Sequence, residues 1–245
     1  MSERMRVRST RIRLTALVLI GLALAAPGVR ASSVVTLPME MPADQRARLE
    51  RLAEAATIAT RVDTEPFLTR REIFDYLLDH PDFATHVTRT LRLARYRIWR
   101  TPEGMFLDDG WGATGTFSVI HTGARQRVMY ARGAYRQTLL PAINGEAVVM
   151  IEYEATPAGD GRDRVRATVS GFVKLDSSVL SMATKLAGPI AQRKADLEAR
   201  RLMRTFARAS SRIDDNPRDV YEQLRQRPDV PARELEEFGR LLNRR

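Results

Sequence analysis

Apolar and polar residues alternate with a period of two through most of the segment between residues 89 and 176. Such alternation is typical of β-strands that turn one face to a core and the other to water. Short segments rich in Gly, Pro and Asn interrupt the alternation and are typical of turns between paired strands. The pattern predicts six strands, at residues 91–100, 104–108, 113–122, 126–136, 146–156 and 164–175.

The last two predicted strands form the clearest hairpin of the chain. Placing Glu154 opposite Arg164 also places Glu152 opposite Arg166, so that both charge pairs lie on one face. The apolar residues of the two strands then lie together on the other face. The hairpin therefore predicts an antiparallel sheet with one face toward water.

Apolar residues at helical spacing precede the sheet. Residues 42–56 are predicted to form an amphipathic helix, because Leu49, Leu52 and Ala56 share one face and charged residues occupy the other. Residues 57–67 are predicted to form a short strand and a connector.

Two short helices are predicted between this connector and the sheet. Thr69 and Glu72 have the spacing of a capping box, in which the threonine caps the amino terminus of the first helix. Asp82 is predicted to cap a second helix that ends near Thr88.

Helical spacing returns after the sheet. Gly188-Pro189 begins a predicted helix that continues to about Ile213, and proline is favoured in a first helical turn. Its length of about 37 Å, at about 1.5 Å per residue, is enough to lie along a whole sheet. From Asp214 onward, prolines delimit two predicted short polar helices.

The segment GWGATG, residues 110–115, matches the glycine pattern of dinucleotide-binding loops. In those loops the last glycine opens a helix, and an acidic residue follows about twenty residues later. Here Gly115 precedes an alternating strand, and the next acidic residue is Glu146. The sequence therefore argues against a dinucleotide site, and we expect Gly112 and Gly115 to provide sheet curvature or a close backbone approach.

The amino-terminal residues have the pattern of a secretory signal peptide. Five arginines precede the uncharged apolar run Leu14–Ala26, and Val29-Arg30-Ala31 resembles a cleavage site. The thirteen apolar residues are fewer than the roughly twenty that a membrane-spanning helix needs. We expect residues 1–31 to be removed and the remaining chain to be secreted or periplasmic, with an uncleaved membrane anchor as the alternative.

Charge and cysteine content narrow the possible partners. The full chain carries a net charge of +10 and has no cysteine, so its fold holds without disulfides. Without residues 1–31 the net charge is +5, because six of the 40 basic residues and one of the 30 acidic residues lie there. Nucleic acid is not an expected partner of an exported protein with so mild an excess.

Four arginines recur at four-residue steps along the predicted long helix, so they share one helix face. This arrangement predicts contact with the headgroups of an anionic membrane surface. A solvated face in an arginine-rich chain is the alternative. The four residues are Arg200, Arg204, Arg208 and Arg212.

Two segments resemble the START-like or SRPBCC superfamily, whose fold is called the helix-grip. REIFDYLLDHPDFATHV (residues 71–87) is similar to its helix-turn-helix, and LSMATKLAGPIAQRKADLEARRLMRTFARA (residues 180–209) to its long closing helix. The resemblance covers about residues 57–213 and implies an α+β fold, a curved antiparallel sheet wrapped around a long C-terminal helix. Residues 32–56, an extension with a helix, and residues 214–245, a short helical tail, are then additions to this domain.

Members of this superfamily bind lipids, sterols, polyketides and other apolar molecules between sheet and helix, and a minority are enzymes with no common set of catalytic residues. The resemblance implies an exported protein that binds a lipid or another apolar molecule, with transfer of lipid at the envelope as one possible role. No catalytic residue, cofactor or metal is predicted. Ordinary core packing is the alternative for the aromatic members of the predicted cavity lining, which is Trp99, Trp111, Phe117, His121, Tyr130 and Tyr153.

Three alternatives stay open at this point. A superfamily enzyme would use His121, which shares a predicted face with Phe117, or Tyr153 as acid or base. A metal site could use three residues of the segment HPDFATH, which are His80, Asp82 and His86, although their spacing matches no metal signature. An envelope interaction protein with a filled cavity would dock partners through the four arginines of the long helix and through the apolar positions of the tail, which are Leu235, Phe238, Leu241 and Leu242.

Overall fold

One curved, open antiparallel sheet organises the computed structural model, which describes residues 36–137, 140–176 and 188–243. Its eight strands are β1 (Ile58–Asp63), β2 (Phe67–Thr69), β3 (Arg97–Thr101), β4 (Gly104–Asp108), β5 (Ala113–Gly123), β6 (Gln126–Gln137), β7 (Leu140–Pro157) and β8 (Asp163–Leu175). The strand order is β1-β8-β7-β6-β5-β4-β3, and β2 also pairs with β8. The predicted α+β class and the antiparallel sheet are confirmed.

Six helices lie within the described residues. They are α1 (Ala43–Glu54), α2 (Arg71–Asp79), α3 (Pro81–Thr90), the long α4 (Gly188–Asp215), α5 (Pro217–Arg225) and α6 (Ala232–Leu242). Every described residue belongs to one compact unit, Ser33–Arg245. The predicted signal peptide lies outside the described residues.

The two faces of the sheet carry separate cores. On the helix-facing side, alternate residues of β7 and β8 such as Ile151, Val165 and Val169 pack with α2 to α6 in the main core. On the opposite side, α1 packs through Leu49 and Leu52 against a smaller apolar cluster. Alternate residues of one strand therefore belong to different cores, because successive residues of a strand point to opposite faces of the sheet.

The long helix α4 lies on the helix-facing side and packs against β1, β2 and β8. Its apolar stripe includes Met203, Phe206 and Ile213, all of which are buried. The helix therefore covers the edge of the sheet formed by β1, β2 and β8.

The tail helices pack into the main core. Phe238 of α6 has no exposed surface and lies 5.1 Å from Phe83 and 5.7 Å from Tyr76, measured between ring centroids. The other predicted docking positions, Leu235, Leu241 and Leu242, pack against the same core. The expectation that these residues form a docking surface for partners is therefore wrong for Phe238, which the chain buries completely, whereas Leu235, Leu241 and Leu242 are only partly buried.

Both predicted helix caps are corrected by the structure. Thr69 ends β2, and α2 begins at Arg71 without a side-chain cap. Asp82 lies inside the first turn of α3, because Pro81 already occupies the first helical position. Asp82 instead forms an ion pair with Arg100, at 2.7 Å.

Strand ends and the hairpin register also differ from the prediction. Glu154 lies opposite Arg166 rather than Arg164, although both still face the wet side. The register shifts because the turn holds five residues, with Gly159 and Gly161 both at positive φ. Two strands also begin at other residues than predicted: β3 begins at residue 97 rather than 91, and β7 begins at residue 140 rather than 146.

Candidate functional site

Three glycines form a strip across the helix-facing side of the sheet. Gly115 of β5 lies opposite Gly133 of β6, which lies opposite Gly145 of β7. A Cβ atom would lie 2.5 Å from the Arg132 carbonyl oxygen if added to Gly115, and 2.6 Å from the Thr114 carbonyl oxygen if added to Gly133. Only glycine fits so close an approach of neighbouring backbones, so this part of the sheet has no side chains.

An apolar cavity of about 240 Å³ lies over this glycine strip. Its walls come from five neighbouring strands, and small side chains occupy its centre. Besides the glycines, the lining includes Leu107, Phe117, Ala131, Ala147, Val173 and Leu175. Concave apolar sites of this kind hold small hydrophobic molecules, although many ligand pockets are larger, at about 300–1,000 Å³.

Lys194 of α4 contacts Tyr135 of β6 at the edge of the cavity. Its Nζ donates a hydrogen bond to the Tyr135 hydroxyl at 2.7 Å and lies 4.0 Å from the centroid of the same ring. Tyr135 also lines the cavity. The contact gives an otherwise apolar site one polar group at its edge, where it could orient a ligand with a polar end.

An ionic cluster around the buried Arg127 lies elsewhere on the helix-facing side and joins α2 to strand β6. The Arg127 side chain is 4% exposed and donates to Asp79 from Nε at 2.6 Å and from a terminal nitrogen at 3.0 Å. The same arginine lies 3.4 Å from Asp75 and donates to the Gly123 carbonyl oxygen at 2.7 Å. A buried arginine so fully bonded fixes the two elements together.

Tyr153 belongs to this ionic cluster rather than to the cavity. Its hydroxyl donates to Asp75 and lies 3.1 Å from the Ala124 carbonyl oxygen. Burial, followed by the bond to Asp75, raises the pKa of Tyr153, and burial also raises the pKa of Asp75. A tyrosine with this environment serves the packing of α2 and is not poised to exchange protons with a ligand in the apolar cavity.

The structure separates the six predicted lining residues. Phe117 lines the cavity, Tyr153 lies in the ionic cluster, and Trp111 is 63% exposed in the β4–β5 loop. Trp99 packs against Phe106 on the face away from the long helix, with ring centroids 4.8 Å apart and the rings tilted by 39°.

Tyr130 and His121 lie on the α1 side of the sheet. Tyr130 packs in the smaller core, where the Arg48 guanidinium lies 4.9 Å from its ring centroid. His121 lies opposite Val128, a residue of the same core, because the pairing register shifts between Val119 and His121. The expectation that His121 shares a face with Phe117 is therefore wrong, since an extra residue in a strand reverses the side chains that follow.

The candidate metal residues form separate pairs. The His80 Nε2 atom lies 4.0 Å from Glu237, and the His86 Nδ1 atom lies 3.6 Å from Asp229. Asp82 pairs with Arg100, as described above. In residues 36–137, 140–176 and 188–243, no three His, Asp or Glu side chains are grouped as a metal site requires.

The four arginines of α4 line a second space, a groove of about 460 Å³ between the helix and the β1–β2 connection. All four are exposed, and Asp63 and Glu65 form part of the opposite wall. Val62 and Met203 lie at its apolar base, where both are almost fully buried. The groove is thus basic on its helix side.

Two features of these sites were not found from the sequence. Gly133 and Gly145 were not connected with Gly115, although correct β5–β6 and β6–β7 registers would have aligned all three. The ionic cluster has no sequence signal, because Asp75 and Asp79 are separated from Arg127 by about fifty residues. Helical spacing alone places the two aspartates on one face of α2.

The chain is distant from characterised proteins. No family model and no curated protein matches it. A conserved protein from Geobacillus kaustophilus is 11% identical, with a TM-score of 0.38, over 63% of this chain and 95% of that one. Norcoclaurine synthase from Thalictrum flavum is 12% identical, with a TM-score of 0.35, over 81% of this chain and 97% of that one. Likeness of this degree carries no argument about family or function.

Proposed function

We propose that this protein binds an apolar small molecule, or the apolar end of a longer lipid, in the cavity over the glycine strip. The observation that carries the proposal is the cavity itself: about 240 Å³ of space with an apolar lining and a floor without side chains. Concave apolar sites of this kind bind small hydrophobic molecules, because such a molecule removes its apolar surface from water there.

We further propose that binding occurs without chemical turnover. The two residues considered as acid or base, His121 and Tyr153, are absent from the described cavity lining. Phe117, Ala131 and Ala147, at the centre of the lining, offer no group for proton transfer or nucleophilic attack, and the polar contact of Tyr135 with Lys194 lies at the edge of the cavity. Retention or transfer of a ligand is the role that this chemistry supports.

Export is part of the same proposal. The amino-terminal arginines and the apolar run Leu14–Ala26 favour secretion to the periplasm or beyond, with cleavage near Ala31. No helix among the described residues is both long and apolar enough to cross a bilayer. A binding protein in that compartment could carry lipid between envelope membranes.

The test is to fill the cavity and measure the loss of binding. Ala147 lies between Ala131 and Val173 on the cavity wall, so Ala147→Phe places a ring in the space. Titration with the uncharged fluorophore N-phenyl-1-naphthylamine should show saturable enhancement for the original protein. We expect Ala147→Phe to weaken that binding at least about tenfold, since a ligand loses the contacts that the ring takes over.

Ala59→Phe is the matched control. Ala59 is exposed on the edge strand β1 and faces the side of the sheet away from the cavity. The control should bind the fluorophore as the original protein does. Equal binding by all three proteins, or no saturable binding by the original, would rule out the cavity as the ligand site.

A further inference from the structure

The outer face of α4 carries a dense group of exposed cationic side chains. These residues extend over about 29 Å of helix, at about 1.5 Å per residue. An exposed leucine, Leu197, lies among them and is 65% exposed. We call this surface the basic face, and its members are Arg193, Lys194, Leu197, Arg200, Arg201, Arg204, Arg208 and Arg212.

Few charges within the described residues neutralise the basic face. Glu198 pairs with Arg201 at 3.1 Å. Arg200, Arg204 and Arg208 form no ion pair among residues 36–137, 140–176 and 188–243, although Asp63 and Glu65 lie across the groove from them. Like charges four residues apart destabilise a helix by a few tenths of a kcal/mol per pair. An external anion would remove that repulsion.

Leu197 is not needed to hold the helix in place. The buried stripe of Met203, Phe206 and Ile213 on the other side already packs α4 against the sheet and α2. A large apolar side chain in the middle of a cationic helix face is typical of helices that lie in the plane of a membrane interface. A soluble phosphate would engage the arginines but would leave Leu197 in water.

We propose that the basic face docks on the surface of an anionic membrane. The arginines contact lipid phosphates, and Leu197 enters the boundary between headgroups and acyl chains. Lys194 belongs to this face and also bonds Tyr135 at the cavity rim, so the same docking would bring the rim next to the bilayer. The docking does not depend on the cavity being occupied.

The test is sedimentation with vesicles of phosphatidylcholine, alone or with one third phosphatidylglycerol, using Ser33–Arg245, the compact unit that contains the described cores. This form lacks the apolar run Leu14–Ala26, which could bind vesicles by itself. The protein should sediment with the mixed vesicles only, and less so as salt is raised. Arg204→Glu/Arg208→Glu should weaken binding at least about 25-fold, since each of the two arginines contributes about a fivefold factor.

Arg218→Glu/Arg233→Glu is the matched control, because it changes the net charge equally at two exposed arginines of the tail helices. It should retain most of the vesicle binding, whereas Leu197→Ala should lose several-fold. If both double variants lost vesicle binding equally, the attraction would be nonspecific and the proposal would be overturned. Full vesicle binding by Arg204→Glu/Arg208→Glu, or by Leu197→Ala, would also overturn it. All these variants should bind N-phenyl-1-naphthylamine normally, so failure of docking and failure of the cavity proposal are separate results.

Discussion

Gly133 is the residue on which the glycine strip depends, because it lies between Gly115 and Gly145 on the central strand of the three. We expect Gly133→Ala to destabilise the protein by about 1–3 kcal/mol, since its methyl group would meet the Thr114 carbonyl oxygen and force the two strands apart. Urea denaturation at neutral pH, followed by circular dichroism, measures the change in the free energy of unfolding.

The matched control is Gly123→Ala at the end of β5. There the added Cβ would lie 3.3 Å from the His121 ring, a side chain that can move. Its cost should stay within about 0.5 kcal/mol, as for most substitutions away from tight packing. If the two variants were equally stable, close backbone approach could not be the reason for glycine at residue 133.

Side-chain direction was predictable from the sequence only as far as strand pairing stayed regular. Alternation placed Phe117 on the helix-facing side, where it lines the cavity. The same reasoning failed four residues later, because the register shift after Val119 moves His121 to the α1 side. Such an irregularity has no sequence signature in this strand, so a period of two cannot be extended across it.

At the scale of elements, the attachment of α2 to the sheet should depend on pH. Burial raises the pKa of Asp75 from its ordinary value of 3.8, so the folded protein holds this proton more tightly than the unfolded chain. As pH rises above 3.8, the folded state therefore loses stability relative to Asp75→Asn. Urea unfolding of both proteins between about pH 3 and 7 should show the advantage of Asp75→Asn growing with pH.

Asp160→Asn should show the opposite trend. Hydrogen bonding to Arg162 lowers the pKa of Asp160 below 3.8, so the original protein gains stability as pH rises toward that value. The free energy of unfolding of Asp160→Asn, relative to that of the original protein, should therefore fall as pH rises over the same range and then stay level. If the stability of Asp75→Asn relative to the original protein changed with pH in the same direction as that of Asp160→Asn, burial could not be raising the pKa of Asp75.

Element types were more predictable than element ends. The strands at 104–108 and 126–136 and the helix at 42–56 followed from periodicity, because burial of one face imposes that pattern. The start of β7 did not, because Ile143-Asn144-Gly145 has the composition of a turn yet lies inside the strand. Gly145 is glycine for its close approach to the Lys174 carbonyl oxygen, at 2.7 Å from an added Cβ, and composition cannot separate these two uses of glycine.

At the scale of the whole molecule, the tail after Asp214 belongs to the main core. Its prolines and its amphipathic spacing predicted two short helices, and both are present. The surface on which these two helices pack could not be predicted, because an apolar helix face can pack on a partner protein as well as on the chain's own core. Val220 and Leu224 of α5 are buried in the same core as the sheet residues Ile151 and Val169.

Phe238 provides the test of this arrangement, since it is completely buried between Tyr76 and Phe83. We expect Phe238→Ala to cost about 3–5 kcal/mol, the usual range for a deleted core ring. The loss should appear as one shifted transition, with tryptophan fluorescence from the sheet and far-ultraviolet circular dichroism from the helices coinciding. Phe106→Ala, at a partly exposed ring on the opposite face, should cost only about 1 kcal/mol. A separate early transition in the Phe238→Ala protein, with the sheet signal unchanged, would show that the tail melts independently of the core.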